Sequence, residues 1–67
     1  MDSQLVVNRL RQDALYARYR ALYIARMSAQ QYQFDEDMLS KCIDRVTQEM
    51  LQNTIEHNEL LKKMAKL

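Results

Sequence analysis

Apolar residues recur along this chain at two helical spacings, one in each half. In the second half Leu39, Ile43, Val46, Met50, Asn53, His57, Leu60, Met64 and Leu67 follow alternating steps of four and three, the period of a heptad seam. In the first half Val7, Leu10, Ala14, Ala17, Ala21, Ile24 and Ser28 do the same. Two seams on one chain predict an all-α fold, an antiparallel two-helix hairpin of coiled-coil type spanning 1–67 as a single domain. Its first helix is expected over about 3–30, its turn within 28–36 and its second helix over about 36–66. Pairing the halves about residue 33 sets Ile24 near Ile43, Ala21 near Val46 and Leu10 near His57, so that small meets large in each layer.

The first helix carries more apolar surface than one seam uses. Val6, Val7, Leu10, Ala14, Ala17, Ala21, Ile24 and Ala25 fall within roughly 100° of arc and are expected to face the second helix. Leu5, Leu15, Tyr16, Tyr19, Leu22, Tyr23 and Met27 fall on the other side. A monomeric hairpin would leave those large side chains in water, and such a surface belongs to a partner. The expected partner-binding residues are therefore Leu15, Tyr16, Tyr19, Leu22, Tyr23 and Met27.

Two signals compete for the start of the second helix. Asp35 reads as an N-cap, with Phe34 and Leu39 placed to form a hydrophobic staple. Ser28-x-x-Gln31 has capping-box spacing, with Met27 and Tyr32 as its staple. Asp35 divides the chain more evenly and is preferred on these grounds.

Composition narrows the class. With no Gly, Pro or Trp and 48% hydrophobic residues, nothing in the chain breaks a helix. A 67-residue chain sits at the edge of what one core can stabilise, and needs disulfides, a metal, association or very regular helix packing. Cys42 is the only cysteine, which excludes a disulfide within the chain, and one Cys with one His cannot supply four soft metal ligands. Neither a metal nor a cofactor is expected, and association remains. Apolar runs of two or three residues fall far short of the roughly 20 that span a bilayer. Met1-Asp2-Ser3 has no basic n-region, so no signal peptide is expected, and a free thiol points to the cytoplasm.

Charge is balanced in total and uneven in place. Residues 1–27 hold five Arg against Asp2 and Asp13, and residues 35–67 hold seven carboxylates against five basic groups, so antiparallel halves attract. Asp35, Glu36 and Asp37 at one end of the second helix, with Lys62, Lys63 and Lys66 at the other, complement its dipole. That placement reads the acidic run as helix capping rather than acid/base chemistry. No nucleophile, base and orienting group are spaced to meet, and no glycine loop could cradle a phosphate, so no enzyme is expected. His57 and Asn53 read as polar seam residues that set register, and Cys42 as a packed thiol. Arg18, Arg20 and Arg26 among Tyr16, Tyr19 and Tyr23 would suit a single-stranded nucleic acid. A net charge of +1 argues against that reading, and Arg with Tyr equally marks protein hot spots.

Gln30-Gln31-Tyr32-Gln33 beside the turn, followed by Leu39-x-x-Cys42-Ile43, resembles the small needle-subunit co-chaperones of bacterial type III secretion systems. The resemblance implies a cytosolic hairpin that binds a larger tetratricopeptide-like, helical-repeat chaperone and, with it, holds the needle subunit unpolymerised before export. In that family the Gln-Tyr-Gln motif opens the second helix, which favours the Ser28 boundary, although no Gly or Pro precedes the motif here. The alternative from the residues themselves is a homo-oligomer, two hairpins burying one face as a four-helix bundle with a regulatory or RNA-binding role.

Overall fold

A chain without helix breakers reverses direction only where its caps allow it. The computed structural model describes residues 3–66, so that Met1, Asp2 and the expected last seam residue Leu67 lie outside the described residues. Three helices follow one another: α1 (Ser3–Met27), the single turn α2 (Ala29–Tyr32) and α3 (Glu36–Ala65). The two long ones pack side by side as a helical hairpin. The described residues contain no strand, and none of their helices is long and apolar enough to cross a membrane.

A helical segment begins after each of the two signals, but only Asp35 caps with its side chain. The backbone N–H of Ser28 donates to the carbonyls of Ile24 (3.1 Å) and Ala25 (3.2 Å), so that the chain leaves α1 without unwinding fully. The Ser28 side chain makes no cap bond, and Ser28 opens only the single turn of α2. That turn ends in a left-handed cap: Gln33 is left-handed (φ 58°, ψ 36°), and the N–H groups of Gln33 and Phe34 both donate to the Ala29 carbonyl. Asp35 then starts the long helix, its carboxylate accepting from the Met38 N–H at 3.1 Å. Glu36 and Asp37 occupy the first turn of α3, and Lys62 and Lys63 the last, as the dipole favours. Phe34, expected to staple onto Leu39, has its ring stacked with Tyr32 at 5.8 Å between centroids.

The α3 seam lies where its periodicity puts it except at Met64, which is exposed near the end of the helix. Val46 and Asn53 are buried, and Leu39, Ile43, Met50, His57 and Leu60 are half-buried against α1. The axial level also agrees, since Arg11 reaches Glu56 at 3.5 Å, where pairing about residue 33 places it.

The rotation of α1 is the opposite of the expected one. Its inward face runs Leu5, Asn8, Gln12, Leu15, Tyr19 and Leu22, again in steps of three and four, with Leu15 only 8% exposed. Val7, Leu10, Ala14, Ala17, Ala21 and Ile24, expected inside, all lie exposed, Leu10 at 62% and Ile24 at 54%. Two forces turn the helix this way. Each buried CH₂ stabilises by about 0.8 kcal/mol, so a face holding Leu15, Leu22 and Tyr19 gains several times what three alanines could. The same rotation brings polar groups to Asn53, whose Nδ2 donates to the Asn8 carbonyl (3.0 Å) and to Gln12 Oε1 (2.9 Å). Facing alanines, that buried amide would have had no partner among these side chains.

Candidate functional site

Little of this hairpin's apolar surface is consumed by its own fold. Only Leu15, Ala29 and Val46 are buried hydrophobics among the described residues. The radius of gyration is 15.6 Å, against about 11 Å for a globular chain of this length. The accessible surface is 5667 Å², whereas a monomeric globular protein of 8.0 kDa exposes about 4,500 Å². The excess of about 1,200 Å² goes with the elongated shape, 54 × 17 × 11 Å along the principal axes.

The exposed apolar groups are not spread evenly. On α3 the exposed positions include many charged or amide side chains, Lys41, Asp44, Arg45, Gln48, Gln52, Glu59 and Lys62 among them, together with the apolar residues Met38, Leu51, Ile55, Leu61 and Met64. On α1 the outward positions Val7, Leu10, Ala14, Ala17, Ala21 and Ile24 form a second heptad seam, centred roughly 150° around the helix from the one that α3 covers. This face is the candidate site. Alanine fills its middle, so a helix laid along it can approach closely, while Val7, Leu10 and Ile24 give grip at the two ends.

The residues expected to bind a partner are split by the fold. Leu15 is buried, and Tyr19 and Leu22 are half-buried in the hairpin's own seam, so they hold α1 to α3 and are not free to dock. The correction follows from the rotation of α1: large side chains that sequence placed outside supply the internal contact. Tyr16, Tyr23 and Met27 remain exposed on the flank of α1. Tyr19 links flank to seam, its ring stacked at 6.5 Å on Tyr16 and at 6.0 Å on Tyr23. A second exposed cluster sits at the turn, where Tyr32, Phe34 and Met38 surround the left-handed Gln33.

The charged groups of α1 are dispersed around the helix and partly paired. Arg18 and Arg20, two positions apart, project about 200° apart around α1. Arg9 lies 4.0 Å from Asp13, and Arg11 is paired with Glu56. The concavities beside the seam are shallow grooves; one is lined by Val7, Asn8, Arg11, Glu56 and Leu60, another by Arg11, Leu15, Arg18, Glu49 and Asn53. Among the described residues no three His, Cys, Asp or Glu side chains form a group that could hold a metal, and Cys42 is a half-buried free thiol.

Two polar atoms at the seam have no hydrogen-bond partner: Asn8 Nδ2 and Asn53 Oδ1. They belong to the polar layer of Asn8, Gln12 and Asn53, which sequence reasoning recognised only on the α3 side. Comparison with family models, curated proteins and solved structures finds no match to this chain.

Proposed function

We propose that the chain is a non-enzymatic binding module whose α1 outer seam docks on a helix of a larger helical-repeat protein, in the manner of a type III secretion co-chaperone. The observation that carries this reading is the second apolar heptad seam on α1, left uncovered when the hairpin closes. A helical-repeat chaperone presents long helices with apolar grooves, and an alanine-centred seam suits a close helix-to-helix approach. Through that chaperone the module would help keep a needle subunit from polymerising before export. The Gln30-Gln31-Tyr32-Gln33 motif, with Tyr32 exposed at the turn, is the sequence feature in favour of this family.

The test is co-expression of the tagged chain with the helical-repeat chaperone and needle subunit encoded in the same genome. A soluble complex is expected, with the native chain copurifying both proteins. Ala17→Glu should abolish copurification, because it sets an unpaired charge inside a desolvated helix contact. Changing Arg18 and Arg20 together to Gln should weaken the complex far less. No complex in the co-expression, or a complex indifferent to Ala17→Glu, overturns the proposal. So does tight, salt-sensitive binding to single-stranded RNA that is lost only in the arginine variant.

A further inference from the structure

We infer that this hairpin opens in two stages: the arms remote from the turn, residues 3–12 of α1 and 53–65 of α3, part from one another while the turn end stays closed. The inference concerns the chain alone and goes beyond the proposed function. Its first support is the place of the apolar burial. Leu15, Ala29 and Val46, the buried hydrophobics among the described residues, all lie on the turn side of the Asn8, Gln12 and Asn53 layer, with Tyr19, Leu22 and Ile43 half-buried beside them. On the far side of that layer no described residue is buried, and only Leu5, Glu56, His57 and Leu60 are half-buried. The second support is the layer itself. Asn8 Nδ2 and Asn53 Oδ1 are sealed from water without a partner, on residues 6% and 4% exposed. Each atom held dry in this way weights the equilibrium by a factor of roughly 5 to 150 toward a state that hydrates it. The two bonds that Asn53 donates, to the Asn8 carbonyl and to Gln12, exchange for bonds to water when the arms part, and their loss about offsets one such atom and leaves the other. The layer therefore adds nothing to the closure of the arms, and the packing beyond it is thin. Arg11 and Glu56 span the arms at 3.5 Å, but the pair is half in solvent and resists opening weakly. Once parted, residues 57–62 keep their helical hydrogen bonds only as an unpacked helix end does, since most helical stability comes from packing. The opened state offers the inner faces of Leu5, His57 and Leu60 together with the amides of the layer, while Leu15 and Val46 hold the hinge.

The test is amide hydrogen exchange of the full chain, read residue by residue by NMR at one fixed protein concentration. Amides 57–62 should share one opening constant, larger than that of amides 43–50 by about tenfold or more. Their exchange should also depend less on urea, because parting the arms exposes only part of the surface that unfolding exposes. Val46→Ala should speed exchange at 43–50 several-fold and at 57–62 by less than about twofold, since Val46 stays packed when the arms part. Asn8→Leu combined with Asn53→Leu should slow exchange at 57–62 by about tenfold or more, because the arms then cannot part without wetting two leucines. Protection that falls smoothly from 50 to 62, with no step at Asn53, overturns the inference, being the ordinary fraying of a helix end. Equal acceleration of both segments by Val46→Ala overturns it too, since the hairpin then opens as one unit. So does exchange at 57–62 that is unchanged in a folded double leucine variant, because the layer then takes no part in the opening.

Discussion

Asn53 is the place where this hairpin trades stability for alignment, and replacing it with leucine measures the trade. The amide is only 4% exposed, with Nδ2 donating at 3.0 and 2.9 Å to the Asn8 carbonyl and Gln12 Oε1 and with Oδ1 unpartnered. Two such bonds contribute about 2 kcal/mol net, whereas a buried acceptor left without a donor costs about 1–3 kcal/mol. These terms nearly cancel, and a leucine at this site adds roughly 1.5–3 kcal/mol of apolar burial. Gln12, half-buried, can turn its amide to water when its partner is gone. Asn53→Leu is therefore expected to stabilise the hairpin by about 1–2 kcal/mol, as replacing a buried polar group with a packed apolar one often does. The assay is urea unfolding followed by far-UV circular dichroism at one fixed protein concentration, so that association does not move the midpoint. A double-mutant cycle of Gln12→Ala with Asn53→Ala should return a coupling of about 1 kcal/mol for the bond between them. A loss of stability greater than about 1 kcal/mol in Asn53→Leu, or a cycle that closes within about 0.3 kcal/mol, would refute the account of the polar layer.

The two faces of α1 make opposite predictions at neighbouring positions. Leu15→Ala should cost about 2–5 kcal/mol in the same unfolding assay, because Leu15 is the buried apolar anchor of the α1 seam. Ala17→Leu, on the exposed side, should change stability by less than about 0.5 kcal/mol in a sample kept dilute enough to be a single chain. Gln33→Gly should stabilise by about 0.5–1 kcal/mol, since a left-handed non-glycine residue carries about 1–2 kcal/mol of strain and the greater freedom of glycine in the unfolded chain takes back part of the gain. Destabilisation by that change would show that the Gln33 side chain itself supports the turn. Arg11→Ala should matter by less than about 1 kcal/mol and progressively less with added salt, its pairing with Glu56 being half in solvent.

What could be read in the sequence depended on whether a local pattern had one interpretation or two. α3 had one: its seam runs unbroken, its start carries Asp35 with Glu36 and Asp37, and its end carries Lys62 and Lys63. α1 had two seams of the same period, so periodicity alone could not choose between them. The one containing Asn8 and Gln12 looked interrupted, and the one running through alanine looked continuous. The missing step was to treat Asn53 as a demand on the opposite helix: a buried amide requires hydrogen-bonding groups at its own level, and Gln12 provides one from its side chain while the backbone carbonyl of Asn8 provides the other. The left-handed turn at Gln33 was illegible for a different reason, because glycine or asparagine ordinarily announces that conformation and glutamine does not.

Rotating α1 also changes what sort of partner the molecule asks for. A docking face built from Tyr16, Tyr19, Leu22 and Tyr23 would have been an aromatic patch seeking pockets on its target, the usual form of an interface hot spot. In the folded hairpin, Leu22 and half of Tyr19 are used internally, and the three tyrosines stack along the flank of the helix. The uncovered face is instead smooth and narrow, alanine at its centre and aliphatic at its ends. Such a surface gains little from a pocket, since a methyl group has little to insert, and gains most when a whole helix lies along it and many weak contacts act together. A straight helix is the shape of occupant that the proposed docking on a helical-repeat protein would bring to this surface. Any side chain as large as leucine on the partner opposite Ala14 or Ala17 would hold the two helices apart at the level where contact has to be closest.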